Sequence, residues 1–346
     1  MLMHTLPNGD EVLRNDRTII IKTHGCRKTL STCAPNGGLH TGLKYIFNFT
    51  SQTPDEPCRM LAPTMDKHME KEAERIGLDP AECTGLITAA LMENAAICEM
   101  TYADVTVTAI VTAGIDHNGG RVGDTAVWHE KLGRSRLIRN GTVNTLLYIS
   151  ANLPDEAITR SLITATEAKT AALQELAAPS CYSSGLATGS GTDGTVIICD
   201  TESPVLLTLP NKHYKLGELI GRTVMTATKE SLCKQSGLCP ERQHDVFRRL
   251  GRFGLTQESI ADRLPQGCTA DDLHAVATDD RMATAAALCA HLLDELSWQL
   301  LSPDEAAAAA ADILRQFNHT PTRPLCDAPA MVAAWQEILL SAFSAD

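Results

Sequence analysis

The chain has 346 residues, 44% of them apolar but only 4% aromatic, and a formal net charge of −12. That length suits one large domain or two ordinary ones, with a core built from small aliphatic residues, Ala and Thr. The acidic balance argues against nucleic acid or an anionic membrane surface as partner, because both need clustered Lys and Arg.

The N-terminal MLMHTLPNGDEVLRND has no apolar h-region and no cleavage site. No later run approaches the roughly 18 apolar residues of a membrane span, so a cytoplasmic protein is expected. Arg17–Thr23 and Lys28–Cys33 read as strands joined by a turn at His24-Gly25, and Leu43–Phe49 as a third. Thr64–Ile76 and Leu86–Ala96 have helical character. Asp104–Val111 is a strand by β-branching, followed by a polar, Gly-rich loop from Thr112 to Gly123. Thr142–Ile149 is a strand, Pro154 marks a helix start, and the helix runs from Asp155 to Leu176. A loop over Pro179–Thr192 then leads into the strand Thr195–Cys199, a length that suits a crossover connection.

From Leu216 strands vanish: Leu216, Leu219, Ile220, Thr223, Ala227 and Ser231 share one helical face. Ser302-Pro303-Asp304-Glu305 has the form of a capping box, with six alanines after it. The expected fold is an α+β body over residues 1–236, mixed strands packed with helices. An all-helical C-terminal appendage over 237–346 follows, with the boundary near Ser236–Pro240. The twelve cysteines form no C-x-x-C pair and read as small buried hydrophobes rather than a disulfide or zinc framework. No metal site and no cofactor are expected.

Candidate chemistry gathers in GLATGSGTDGTVII, Gly185–Ile198. It ends a loop and opens a strand, unlike a P-loop. Gly189, Gly191 and Gly194 tolerate positive φ. Thr188, Ser190 and Thr192 supply hydroxyls, and exposed amides could form an anion-binding concavity; a plain surface turn is the simpler reading. On the preceding helix Ile158, Leu162, Ala165, Ala172 and Leu176 share a face with Lys169 in its middle. A lysine there either snorkels outward or is buried with a partner, and Asp193 is the candidate partner. Glu167 falls on the opposite face, beside Thr166 and Thr170, like a solvated charge. Asp116, His117, Asp124, His129 and Glu130 could make an acid–base or metal-binding set, but their spacing matches no zinc motif. Ser31–Gly38 carries the Asn-Gly-Gly turn signal.

Taken in order, STCAPNGG (Ser31–Gly38) with Asn48, LITAALMENA, VTAGIDHN, GTVNTLLYISANL, TATEAKTAALQEL, GLATGSGTDGTVI and HYKLGELIG resemble the adenosylcobinamide amidohydrolase (CbiZ) family over residues 17–232. The resemblance implies hydrolysis of the amide between a corrin propionate side chain and aminopropanol, giving adenosylcobyric acid in corrinoid salvage. A corrinoid small molecule is then the partner, and assembly into a homo-oligomer stays open. The family has a small residue and Asn after VTAG, so the Asp116-His117 pair departs from its pattern and weakens His117 as a general base.

Amide hydrolysis needs an activated nucleophile, an oxyanion donor and an acid for the leaving amine. Under this reading Thr188 or Thr192 is the nucleophile or water-positioning hydroxyl. Lys169 or Glu167 assists proton transfer beside Asp193, and the amides of 189–191 form the oxyanion hole. Substrate contacts are assigned to Asn36, Gly37, Gly38, Asn48, Thr112, Gly114, Asn144, Gly189 and Gly191, with Asn chosen because it both donates and accepts. Two other readings compete: a corrinoid carrier without catalysis, and an autoprocessed hydrolase with an N-terminal Ser or Thr nucleophile, since the unit from Gly141 onward is loosely similar to such enzymes. A metal-dependent hydrolase of unrelated amides is a third.

Overall fold

A computed structural model describes residues 1–51, 60–126, 141–321 and 323–343. Its contacts divide the chain into two compact units. One holds Met1–Tyr182 and Leu186–Leu238; the other holds Cys239–Asp346 together with Ser183–Gly185.

The first unit is an α+β body. Its strands are β1 (Leu2–Thr5), β2 (Glu11–Arg14), β3 (Thr18–Lys22), β4 (Arg27–Ser31), β5 (Gly38–Thr41), β6 (Tyr45–Thr50), β7 (Cys83–Thr88), β8 (Ala96–Tyr102) and β9 (Val105–Gly114). They continue with β10 (Gly119–Gly120), β11 (Thr142–Ile149), β12 (Gly189–Ser190) and β13 (Gly194–Asp200). Its helices are α1 (Met65–Arg75), α2 (Asp155–Glu175) and α3 (Lys215–Ser236). One sheet runs β1-β2-β3-β6-β7 and a second runs β5-β4-β13-β11-β9-β8. The turn at His24-Gly25 therefore carries the chain from one sheet to the other.

The layers follow from side-chain alternation. On β11, Val143, Leu147 and Ile149 face α2 and α3, while Leu146 and Tyr148 face the first sheet. Val196 and Ile198 of β13 join that inter-sheet core with Ile19, Ile21 and Ile46. On the far side of the first sheet, Phe47, Phe49 and Cys83 pack on Met69 and Ala73 of α1. The order is helix, sheet, sheet, helix pair. Strands β11 and β13 pair in parallel through the α2 crossover.

Three local expectations need correction. Leu86–Ala96 is not helical: β7, a 3-10 turn at Met92–Asn94 and the start of β8 occupy it. Parallel pairing with β6 and burial of Leu86 between the sheets override the helical pattern. The two polar loops are not wholly irregular, since β9 extends to Gly114 and β10 pairs with β12. Nor do Gly189, Gly191 and Gly194 adopt positive φ.

In the second unit the helices are α4 (Val246–Leu250), α5 (Glu258–Ala261), α6 (Ala270–Ala277), α7 (Asp280–Ser297), α8 (Pro303–Leu314) and α9 (Ala328–Ser341). Their core centres on Trp335, Leu250 and Cys289, and Arg252 pairs with Asp294 inside it at 2.5 Å. The Ser302–Glu305 capping box forms as its residues dictate. Among the described residues no helix is long and apolar enough to cross a membrane.

Candidate active site

The site forms where β9 ends at Gly114, β11 begins at Thr142 and β13 begins at Gly194. Helix α2 turns its apolar face onto the sheet and brings Lys169 to this edge. The Lys169 ammonium donates to Asp193 Oδ2 at 2.5 Å, with the two side chains only 14% and 13% exposed. Asp193 is a saturated acceptor: Oδ1 takes Val143 N–H at 2.8 Å and Ser190 Oγ–H at 2.6 Å, and Oδ2 also takes Ser190 N–H at 2.9 Å. Charge-assisted bonds of this kind lock a carboxylate in one orientation.

Gly189 owes its identity to that pair. A Cβ there would lie 2.3 Å from Asp193 Oδ2 and 2.8 Å from Lys169 Nζ. The loop is held down by α2, where Thr170 Oγ1 donates to Thr188 O at 3.1 Å and Gln174 Nε2 to Ala187 O at 2.9 Å.

Beside the ion pair lies a group of hydroxyls. Thr192 Oγ1 sits 2.6 Å from Thr142 Oγ1 and 2.7 Å from the Gly141 carbonyl oxygen. Ser190 Oγ is 3.5 Å from Thr192 Oγ1, linking this pair toward Asp193. Asn118 donates to Gly141 O at 3.0 Å and accepts from Tyr182 Oη at 2.9 Å. The Thr188 hydroxyl, by contrast, accepts from Val122 N–H at 2.8 Å and braces the short β10–β12 ladder.

The residues expected to hold substrate divide. Asn48, Thr112 and Asn144 come together, but buried between the sheets. Asn144 Nδ2 donates to Asn48 Oδ1 and Ile87 O, both at 2.9 Å; Asn48 Nδ2 donates to Thr112 Oγ1 at 2.8 Å; Asn144 Oδ1 accepts Gly194 N–H at 3.0 Å. They form a floor under the site. Asn36 commits its amide to Pro80 O at 2.7 Å and Cys83 O at 2.8 Å, and next to it Gly37 and Gly38 are exposed. Gly114 is half-buried against Gln235. Gly191 is exposed, facing Asn118.

Glu167 is set apart: it is exposed on the far face of α2 and pairs with Lys212 at 2.8 Å. Asp116 and His117 are exposed, and Asp124 accepts from Ser180 Oγ at 2.7 Å; His129 and Glu130 lie outside the described residues. No group of three or more metal-ligating side chains occurs among the described residues. Ser31–Gly38 ends at the same edge, where Cys33 Sγ would lie 3.4 Å from a Cβ on Gly194 and burial pushes the Cys33 thiol above its ordinary pKa.

Sequence reasoning assigned no role to Asn118, Thr142 and Tyr182. The first two stand inside VTAGIDHN and GTVN, so the motifs pointed to them; nothing in the sequence marked Tyr182.

Six separated motifs thus converge on one sheet edge, and the chain that carries them is similar to known proteins. An uncharacterized protein of Methanocaldococcus jannaschii is 35% identical over 243 residues, covering 65% of this chain and 89% of its own length. The adenosylcobinamide amidohydrolase of Methanosarcina mazei is 32% identical over 160 residues, 46% of this chain and 66% of that protein. The sequence pattern of one family matches residues 3–240, which includes every residue of the edge just described. On that match the chain belongs to the adenosylcobinamide amidohydrolase (CbiZ) family.

Proposed function

We propose that this chain hydrolyses the amide joining a corrin propionate side chain to aminopropanol in adenosylcobinamide, releasing adenosylcobyric acid for corrinoid salvage. The observation that carries the reading is the largely shielded Lys169–Asp193 pair abutting the Thr142–Thr192–Ser190 hydroxyls. In a low-dielectric site an ammonium held by a carboxylate is a fixed positive charge, and it stabilises the oxyanion that forms when the amide carbonyl is attacked. Thr192 supplies the attacking hydroxyl or positions the attacking water, and its proton moves through Ser190 toward Asp193. Asp193 returns that proton through Ser190 and Thr192 to the leaving amine as the C–N bond breaks, and water then hydrolyses any Thr192 ester to the carboxylic acid and the free hydroxyl.

Glu167 has no part in this scheme, because it lies across the helix from the site. The Ser190 amide is committed to Asp193, which leaves Lys169 as the principal oxyanion donor.

The test is direct. Purified protein is incubated with adenosylcobinamide, and products are followed by chromatography and mass spectrometry. Adenosylcobyric acid with free aminopropanol is expected, and Lys169→Met should lower turnover by about 100- to 1,000-fold, the usual cost of removing one oxyanion donor. Unchanged substrate with a shifted absorbance spectrum would replace this reading with a corrinoid carrier. The absence of both turnover and binding would refute the substrate assignment.

A further inference from the structure

The Gly141 carbonyl oxygen is crowded by donors. Thr142 Oγ1 and Thr192 Oγ1 each lie 2.7 Å from it, Asn118 Nδ2 3.0 Å and Ser190 Oγ 3.2 Å. A carbonyl offers two lone pairs, so four donors cannot all be served at once. Three of the four are hydroxyls, which rotate to suit their surroundings. Ser190 has Asp193 Oδ1 at 2.6 Å, and Thr142 and Thr192 have each other at 2.6 Å. Asn118 alone is fixed from its other side, because Tyr182 Oη donates to its Oδ1 at 2.9 Å and so turns Nδ2 toward Gly141.

The surrounding glycines point to the same pair. A Cβ on Gly141 would lie 2.7 Å from Asn118 Cβ, and one on Gly120 would lie 3.3 Å from the Tyr182 ring. Gly141 also takes φ +144°, a backbone conformation that side-chain-bearing residues rarely adopt. The geometry points to Asn118, oriented by Tyr182, as the positioning residue of the site. It holds the Gly141 carbonyl and, through it, aligns the Thr142, Thr192 and Ser190 hydroxyls with Asp193. Tyr182 acts through Asn118.

This rests on the amidohydrolase reading, so its experiment has two arms. In the first, Asn118→Ala, Tyr182→Phe and the double variant turn over adenosylcobinamide beside the unaltered full chain. A misplaced reacting group costs up to about 100-fold; that loss is expected in kcat for Asn118→Ala, with KM little changed, and a smaller loss for Tyr182→Phe. In the double variant Tyr182→Phe should add nothing, the mark of two residues on one path. Additive losses, or an effect confined to KM, would overturn the assignment.

The second arm needs no turnover. Hydrogen exchange of the 188–194 backbone should quicken in Tyr182→Phe, a half-exposed position where the ring is kept and the fold undisturbed. It should quicken no further in the double variant than in Asn118→Ala. Unchanged exchange in Tyr182→Phe would overturn the coupling even if the substrate proved wrong.

Discussion

Gly189→Ala tests the central geometric statement about the site. The new Cβ would fall 2.3 Å from Asp193 Oδ2, an approach real structures keep above 3.0 Å, so the carboxylate must retreat by about 0.7 Å or the strand must shift. Neither is easy. Asp193 accepts from Lys169 Nζ at 2.5 Å, Val143 N at 2.8 Å, Ser190 N at 2.9 Å and Ser190 Oγ at 2.6 Å, and the retreat stretches at least one of these. A hydrogen bond to a charged group is worth about 1.5–3 kcal/mol, so the loss of one or two predicts destabilisation of about 2–4 kcal/mol. For a unit of this size that is a fall in melting temperature of about 5–15 °C. Under the proposed mechanism, turnover of adenosylcobinamide should fall by about 100-fold, because Lys169 would no longer sit where the oxyanion is proposed to develop. Circular-dichroism melting and a product assay read the two effects. A Gly189→Ala variant that melts and turns over like the unaltered chain would refute the argument that this glycine makes room for the ion pair.

Other substitutions separate the floor of the site from its rim. Asn144→Ala removes two donated bonds and one accepted bond at a residue 1% exposed. It should destabilise the α+β body by about 2–4 kcal/mol in urea denaturation; a loss under about 1 kcal/mol would contradict its role as a tie between the sheets. Arg27→Met strips the buried guanidinium that meets both oxygens of Asp10, at 2.7 and 3.1 Å, and Asp200 at 2.8 Å. Two buried carboxylates then lose their cationic partner, at an expected cost of about 3–5 kcal/mol, and Arg27→Met with Asp10→Asn should be less damaged than Arg27→Met alone. Burial pushes the Cys83 thiol up to about 12 and Cys289 up to about 11. Only thiolate reacts with iodoacetamide, so at pH 8 exposed Cys26 should be alkylated well before either, and their labelling should accelerate as pH rises; early modification of Cys83 would show the β6–β7 face to be open.

Much of the architecture was written in local pattern. Thr142–Ile149 alternates between two buried faces, and the helix that follows has an apolar stripe, so a strand–helix–strand unit of crossover length could be read from the sequence. Lys169 stood out because a charge interrupted that stripe. What local pattern could not give was pairing. Leu86–Ala96 mixes Leu, Ala and Met in a way that suits a helix, and only its parallel partner β6, remote in sequence, makes its first part a strand. The glycines of 189–194 misled for a related reason. Their spacing suggested unusual backbone angles, yet their φ values are ordinary and at two of them the constraint is volume: Asp193 and the Lys169 ammonium fill the space of a Cβ on Gly189, and Leu86 and the Asn144 amide that of one on Gly194. Such a constraint cannot be seen until the segments are brought together.

The burial of Asn48, Thr112 and Asn144 completes this picture. An apolar seam would hold the two sheets together at lower desolvation cost, and along most of its length the seam is apolar, as Ile21, Ile46, Leu146 and Ile198 show. Beneath the Lys169–Asp193 edge it is replaced by linked amides, each bond directional and each partner fixed. A hydrocarbon contact tolerates sliding between sheets, whereas a saturated amide network fixes register. Gly194 lies directly on that network, its amide bound to Asn144, and Asp193 is the next residue in the chain. The polar seam therefore sets where the carboxylate stands, the carboxylate sets where the ammonium stands, and the hydroxyls aligned by Asn118 are placed against both.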